Sequence, residues 1–301
     1  MKHLLSIKEL SQTQLLDILA LAKKIKANPA EYRRALDGKS VVMLFEKPSL
    51  RTRVSFDIGI NKLGGHCLYL DQQNGALGKR ESVEDFATNI SCWADAIVAR
   101  TYSHTTIEKL AKHGSVPVIN ALSDLYHPCQ ALADFLSLSE QFDDVSKAKL
   151  AYVGDGNNVT HSLIYGAAIL GLTMTVICPE GYFPDALVVT EAQALAAKNG
   201  GKLTLTADIN QIEGHDAIYT DTWISMGDDT SLTEIKERFS PYQVNAELMA
   251  KAGAKYFMHC LPAHRGVEVT DEVMDGEGSL ILDQAENRMH AQNAVLVTLL
   301  S

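Results

Sequence analysis

The sequence predicts an α/β protein of two domains, each an open parallel sheet flanked by helices. Three observations carry this expectation. Short, almost wholly apolar runs such as Ser40–Leu44, Ala96–Ala99, Lys149–Val153 and Met174–Cys178 alternate with longer stretches of helical period. Strands that are apolar on both faces belong to sheets covered on both sides. The alternation pauses at the polar stretch Asp143–Lys147 and then restarts, and 301 residues leave room for two domains of ordinary size.

Taken in order, Ser11 caps an opening helix whose apolar positions Leu15, Ile18, Leu19, Ala22 and Ile25 fall on one face. Strand Ser40–Leu44 is followed by Pro48-Ser49 and a helix from about Arg51 that stops near Gly64-Gly65. His66–Leu70 reads as a strand and Asp71–Arg80 as a long loop. Ser82 opens the next helix, with Asp85 placed as the acidic partner of a capping box. Strand Ala96–Ala99 ends on Arg100; helix Thr105–His113, strand Val116–Ala121 and helix Ala131–Phe142 complete the first half.

In the second half, strand Lys149–Val153 runs into Gly154-Asp155-Gly156-Asn157-Asn158 and a helix to about Gly171. Strand Met174–Cys178, helix Pro184–Asn199, strand Leu203–Thr206 and strand Ala217–Tyr219 follow. Thr222–Pro241 lacks periodicity and reads as a functional loop. Helix Asn245–Ala252, strand Lys255–Met258, loop Ala263–Val269, a last strand Ser279–Leu282 and a last helix Glu286–Leu300 close the chain.

The composition excludes several classes. A net charge of −10 disfavours general nucleic-acid binding. The five cysteines, 67, 92, 129, 178 and 260, are odd in number and form no Cys-x-x-Cys pair, which disfavours a disulfide framework or a structural zinc site. No signal-peptide pattern and no apolar run of transmembrane length stand out, so a reducing cytoplasm and no membrane partner are expected.

In open parallel sheets, ligands sit outside the carboxyl ends of the strands. The polar residues there are Ser49–Arg53, Arg100, His127–Gln130, Asn157-Asn158, Asp221–Gly227 and His259–Pro262. They come from both halves, and one shared cleft is the economical expectation. Ser49–Arg53 places a hydroxyl, arginine forks and free backbone N–H groups at a helix start, which favours an anion. Its bland alternative is a solvated helix start whose arginines pair with nearby acids. With Arg100 and Arg288 it forms a cluster suited to phosphate or a developing oxyanion. His127 can donate to a carbonyl oxygen and Gln130 can orient an amide; the alternative is a capping histidine beside a buried cysteine.

Asp221 can hold an ammonium group, and Ser225 and Met226 a carboxylate, while Trp223 reads as packing. Neighbouring residues of an extended chain point to opposite sides, which argues against His259 activating Cys260. The Gly154–Asn158 turn lacks the third glycine of a dinucleotide site; its asparagines read either as amides aimed at a polar ligand or as a helix cap.

Together these residues resemble the ornithine carbamoyltransferases, over essentially the whole chain and in order. The motifs are Ser49-Leu50-Arg51-Thr52-Arg53, His127-Pro128-Cys129-Gln130, Asp221-Thr222-Trp223-Ile224-Ser225-Met226-Gly227, His259-Cys260-Leu261-Pro262 and the late Arg288. The resemblance implies transfer of the carbamoyl group of carbamoyl phosphate to the side-chain amine of L-ornithine, giving L-citrulline and phosphate. No metal and no organic cofactor are expected. It implies a carbamoyl phosphate-binding domain of residues 1–142 plus 284–301, to which the last helix returns. An L-ornithine-binding domain of residues 149–283 completes it, and the assembly is a homotrimer or a multiple of trimers.

The implied carbamoyl phosphate site is Ser49, Leu50, Arg51, Thr52, Arg100, His127, Pro128, Cys129, Gln130, Cys260, Leu261 and Arg288. Asn158, Asp221, Ser225 and Met226 are the implied ornithine site. Arg100, His127, Asp221 and Cys260 are the implied catalytic set. One departure stands out: many relatives place a glutamine, reaching a neighbouring subunit's ligand, where this chain has Ala76, and Gln73 or Lys79 would have to substitute. Rival readings are a carbamoyltransferase for aspartate, putrescine or an N-acylated ornithine, a two-lobed amino-acid binding module, and a dinucleotide oxidoreductase.

Overall fold

The computed structural model describes residues 1–71, 77–79, 81–223 and 232–301, with the side chains of 232 and 233 left aside. The expected loop residues Gln73 and Ala76, and the expected ligand residues Ser225 and Met226, lie outside the described residues. The chain divides into two compact units, residues 1–136 with 287–301, and residues 137–286.

In the first unit, helix α1 (Gln12–Ala27) starts at Ser11, whose hydroxyl accepts the Gln14 N–H while the Gln14 side chain accepts the Ser11 N–H. A short α2 (Pro29–Tyr32) leads to β1 (Ser40–Phe45), α3 (Leu50–Lys62), β2 (His66–Leu70), α4 (Val83–Ile90), β3 (Ala96–Arg100), α5 (His104–His113), β4 (Val118–Leu122) and α6 (Pro128–Ser139). The four strands are parallel, in the order β2-β1-β3-β4. Leu4 adds to the outer edge of β4: its N–H donates to the Val118 carbonyl and its carbonyl accepts the Asn120 N–H. Val41, Met43, Ile97, Val98 and Ala99 are wholly buried, as strands covered on both faces require.

The second unit contains β5 (Lys149–Val153), α7 (Asn158–Leu170), β6 (Thr173–Ile177), α8 (Ala186–Asn199), β7 (Lys202–Thr206), β8 (Ala217–Thr220), α9 (Leu232–Phe239), α10 (Ala246–Ala252), β9 (Tyr256–His259) and α11 (Asp271–Met274). Its five parallel strands run β7-β6-β5-β8-β9. Helix α7 ends at Gly171 with φ +79°, where a Cβ would lie 2.6 Å from the Asn199 carbonyl oxygen; only glycine fits that left-handed stop. Helix α12 (Ile281–Leu300) follows, and its residues from 287 onward belong to the first unit.

Two expectations are corrected. Ser279–Leu282 is not a strand. Ser279 makes one isolated bridge to Phe257, and the chain then turns helical at Ile281, with the Gln284 N–H donating to the Leu280 carbonyl. Leu280 and Ile281 are buried while Leu282 is exposed, so the burial is that of a helix start. The stretch expected as loop up to Pro241 contains α9, where Ile235 and Phe239, one turn apart, pack with Trp223.

Topology places the candidate chemistry. In each sheet the strand order reverses once, and the crevice at that point is where an open α/β sheet binds its ligand. In the first unit the reversal lies between β1 and β3, so the β1–α3 turn and Arg100 flank it. In the second it lies between β5 and β8, flanked by Gly154–Asn157 and Asp221.

Candidate active site

The half-site of the first unit grows from strand ends. Arg100, the last residue of β3, pairs in register with Phe45 of β1, and its carbonyl accepts the Glu46 N–H at 2.8 Å. The β3–β4 register slips between Ala99 and Arg100, a local irregularity of the kind that re-aims a side chain. The Arg100 side chain is 4% exposed, and its buried Nε has no hydrogen-bond partner among the described residues. Burial first, then the positive charge of Arg288, pulls its guanidinium down to about 10. Among the described residues Tyr69 alone opposes this, and no carboxylate contributes.

Arg288 sits on α12 and is the hub of the group. Its Nη1 donates to Gln130 Oε1, and its Nη2 donates to Thr52 Oγ1 at 2.8 Å and to His127 Nε2 at 3.3 Å. A guanidinium only donates, so the His127 ring accepts at Nε2 and carries its proton on Nδ1. Burial, then Arg288 and Arg100, hold His127 well below the usual histidine range, so it is a neutral ring. Thr52 Oγ1 accepts from Arg288 and, at 2.9 Å, from the Ser49 hydroxyl, which leaves its own proton for a ligand.

Ser49 gives no side-chain cap to α3, so the N–H groups of the first turn keep their capacity for an anion. Pro128 starts α6, where its missing N–H costs nothing. The Cys129 thiol is buried, donates to the Asn120 carbonyl, and is pushed up to about 12 by desolvation, which makes it packing rather than a nucleophile. Not all the expected arginines join this group. Arg51 is exposed, and Arg53 lies over the Tyr69 ring, 4.0 Å from its centroid. The buried pair is Arg100 and Arg288.

The half-site of the second unit is built on Asp221, just past β8 and 6% exposed. Its Oδ2 accepts from Asn157 Nδ2 at 2.8 Å, and its Oδ1 accepts from the Thr222 N–H at 2.8 Å and from the Cys260 thiol at 2.9 Å. Asn157 works in two directions. Its Oδ1 caps α7 by accepting the N–H groups of Val159 and Thr160, while its amide nitrogen fixes Asp221. Asn158, the expected ornithine contact, is the first residue of α7 and is half-buried.

Gly156 has no space for a Cβ, which would lie 2.2 Å from the Pro184 nitrogen. That glycine serves close chain packing, and the ground beside it is not open to a pyrophosphate.

His259 is wholly buried. Its Nδ1 accepts the Leu261 N–H at 2.9 Å and its Nε2 donates to Glu268 Oε1 at 3.3 Å. Glu268 is also wholly buried and accepts the His264 N–H. These bonds pin the Cys260-Leu261 backbone, where Leu261 adopts φ +57°, a conformation uncommon for a side chain of its size. Asp221, His259 and Cys260 offer donor atoms within 4.8 Å of one another. Both imidazole nitrogens are already engaged, so a metal would have to break these bonds.

Sequence reasoning did not find the partners Thr222 and Glu268 or the Asn157–Asp221 bond. Asn157 had a legible cap signal, an Asn directly before a helical period, but its second bond depends on which strand lies next to β5.

Comparison with known proteins places this geometry. Residues 2–140 match the family description "Aspartate/ornithine carbamoyltransferase, carbamoyl-P binding domain", and residues 146–299 match "Aspartate/ornithine carbamoyltransferase, Asp/Orn binding domain". The chain belongs to the aspartate/ornithine carbamoyltransferase family. It is 81% identical over 301 residues to an ornithine carbamoyltransferase of Shewanella oneidensis, with 100% of both chains covered.

It is 47% identical to an anabolic ornithine carbamoyltransferase of Pyrococcus furiosus, covering 98% of this chain and 95% of that one. The solved ornithine carbamoyltransferase of Pyrococcus furiosus superposes with a TM-score of 0.94 at 46% identity, covering 98% of this chain and 96% of that chain. That of Thermus thermophilus superposes with a TM-score of 0.89 at 41% identity, covering 100% and 99%. Among the described residues no helix is long and apolar enough to cross a membrane.

Proposed function

We propose that the protein is an ornithine carbamoyltransferase, transferring the carbamoyl group of carbamoyl phosphate to the side-chain amine of L-ornithine to give L-citrulline and phosphate. The observation that carries the chemistry is the buried Arg100–Arg288 pair, with Thr52, His127 and Gln130 gathered on Arg288. Ser49, Leu50, Arg51 and Thr52 hold the phosphate at the start of α3. Thr52, Arg100 and His127 polarise the carbamoyl carbonyl and stabilise the oxyanion of the tetrahedral intermediate. Gln130 and the Leu261 carbonyl hold the carbamoyl amide, with Pro128, Cys129 and Cys260 lining the site. Asp221, Asn158, Ser225 and Met226 bind ornithine, and Cys260 beside Asp221 helps orient the amine. Residues 1–142 with 284–301 serve carbamoyl phosphate, and residues 149–283 serve ornithine.

The attacking amine must be neutral. With a reference pKa near 10.4, only about 0.04% of it is free base at pH 7. Activity is therefore expected to climb with pH, by up to about tenfold per unit where this ionisation limits the rate. The test is citrulline formation and phosphate release between pH 6 and 9, run with ornithine, putrescine and N-acetylornithine as acceptors. A flat profile defeats the ionisation argument, and a higher kcat/KM for putrescine or N-acetylornithine defeats the substrate assignment.

We also infer a cytoplasmic homotrimer or multiple of trimers, either anabolic or catabolic in direction. Leu50, Val54 and Ile58 follow one another by four residues along α3 and are 76%, 42% and 46% exposed, an apolar row suited to self-association. The five free thiols suit a reducing compartment. Light scattering is expected to give a mass of three chains or a multiple of three, and replacing Val54 and Ile58 with lysine to lower it; a monomer mass in the parent protein would refute the trimer.

A further inference from the structure

Asp134 lies one helical turn beyond Gln130 on α6 and is almost wholly buried. Its Oδ1 accepts a hydrogen bond from Gln130 Nε2 at 2.8 Å, while Gln130 Oε1 accepts from Arg288 Nη1. A carboxylate offers only acceptors and a guanidinium only donors, so one orientation of the Gln130 amide satisfies both. The reverse orientation would set the amide NH2 against the donors of Arg288 and turn its oxygen onto the oxygen of Asp134. The orientation of Gln130 is thus imposed from both sides. Its oxygen faces the group formed by Arg288, Thr52 and His127, and it keeps a second lone pair.

We propose that Asp134 is a positioning residue that sets the acyl specificity of this half-site. By holding Gln130 Nε2, it keeps Gln130 Oε1 turned toward the bound acyl group as an acceptor. Such a site favours an acyl phosphate whose terminal group donates a hydrogen bond, the NH2 of carbamoyl phosphate, over one that ends in methyl, as acetyl phosphate does. This rests on the carbamoyl phosphate reading proposed above. The phosphate ends of the two ligands are the same, so their ratio of affinities reports the terminal group alone.

The experiment is calorimetric titration of the intact enzyme with carbamoyl phosphate, acetyl phosphate and inorganic phosphate. In Asp134→Leu the preference for carbamoyl over acetyl phosphate is expected to fall about tenfold, the worth of one good hydrogen bond. Asp134→Asn keeps an oxygen acceptor and is expected to hold the preference within about threefold of the parent. If the leucine variant does not fold, Asp134→Ser, too short to reach Gln130, carries the same expectation. A purely structural Asp134 would weaken all three ligands together and leave the preference unchanged, and that result overturns the proposal. A parent enzyme that does not prefer carbamoyl phosphate would instead overturn the proposed function.

Discussion

Replacing Arg100 with methionine is expected to lower kcat by about 10²–10³-fold, the roughly 2.7–4 kcal/mol that one preorganised oxyanion donor supplies. The same change is expected to leave the unliganded fold as stable as before, or more stable. Arg100 is buried, and among the described residues its Nε has no partner and no carboxylate acts on it. Its ionised form is held at a cost, because burial and the Arg288 charge both disfavour it. The group is a base whose folded value lies below its unfolded value. The cost is therefore fully present below about pH 10 and fades as pH rises through 10 toward the higher unfolded value.

An anion relieves the same cost, so phosphate at a hundred times its Kd should stabilise the parent by about 2.7 kcal/mol. The variant should gain far less. Urea unfolding at pH 7.5 with and without phosphate, beside steady-state kinetics, decides the matter. Turnover within fivefold of the parent, or a fold weakened in the absence of phosphate, would show that Arg100 is not a strained electrostatic donor.

Asp221→Asn is expected to lower kcat/KM for ornithine by about 10²–10³-fold, since removing one member of a buried charge pair costs about 2–5 kcal/mol. Binding of carbamoyl phosphate or phosphate should stay within about threefold. The carboxylate receives donors on both oxygens, from Asn157 on one and from Thr222 and Cys260 on the other. An asparagine would turn an NH2 toward one of these donors, so the loss includes misorientation as well as charge. Titration of each ligand separately, together with initial rates at varied ornithine, reads out the split. A loss of phosphate affinity equal to the loss of ornithine efficiency would mean that Asp221 acts through the fold rather than on the amine.

Much of this was legible in the residues. The alternation of short apolar strands with helices was legible, and with it the position of Ser49–Thr52, Arg100, His127, Asn157-Asn158 and Asp221 at or after strand ends. The misreadings were local. At Ser279–Leu282 a run of apolar residues is compatible with either a strand or a helix start, and periodicity cannot separate the two over so few residues. At α9 the charged residues Glu234, Lys236, Glu237 and Arg238 hid a face whose described anchors are Ile235 and Phe239. Arg53 shows the opposite error. A basic residue in the right motif was taken into the anion cluster, whereas its guanidinium rests on Tyr69.

By itself the sequence determined the fold class and the two-part organisation, because hydrophobic periodicity is a local property of the chain. Only the tertiary structure decided how the site residues are joined. Arg288 reaches Gln130 across 158 positions and Thr52 across 236, while Asn157 reaches Asp221 across 64. The Asn157–Asp221 contact follows from strand order, which sets β5 beside β8, and the Arg288 contacts follow from the return of the last helix to the first unit. The same packing removes water from Arg100 and His127, and it is this desolvation that turns an ordinary arginine and histidine into a lowered, uncompensated cation and a neutral ring.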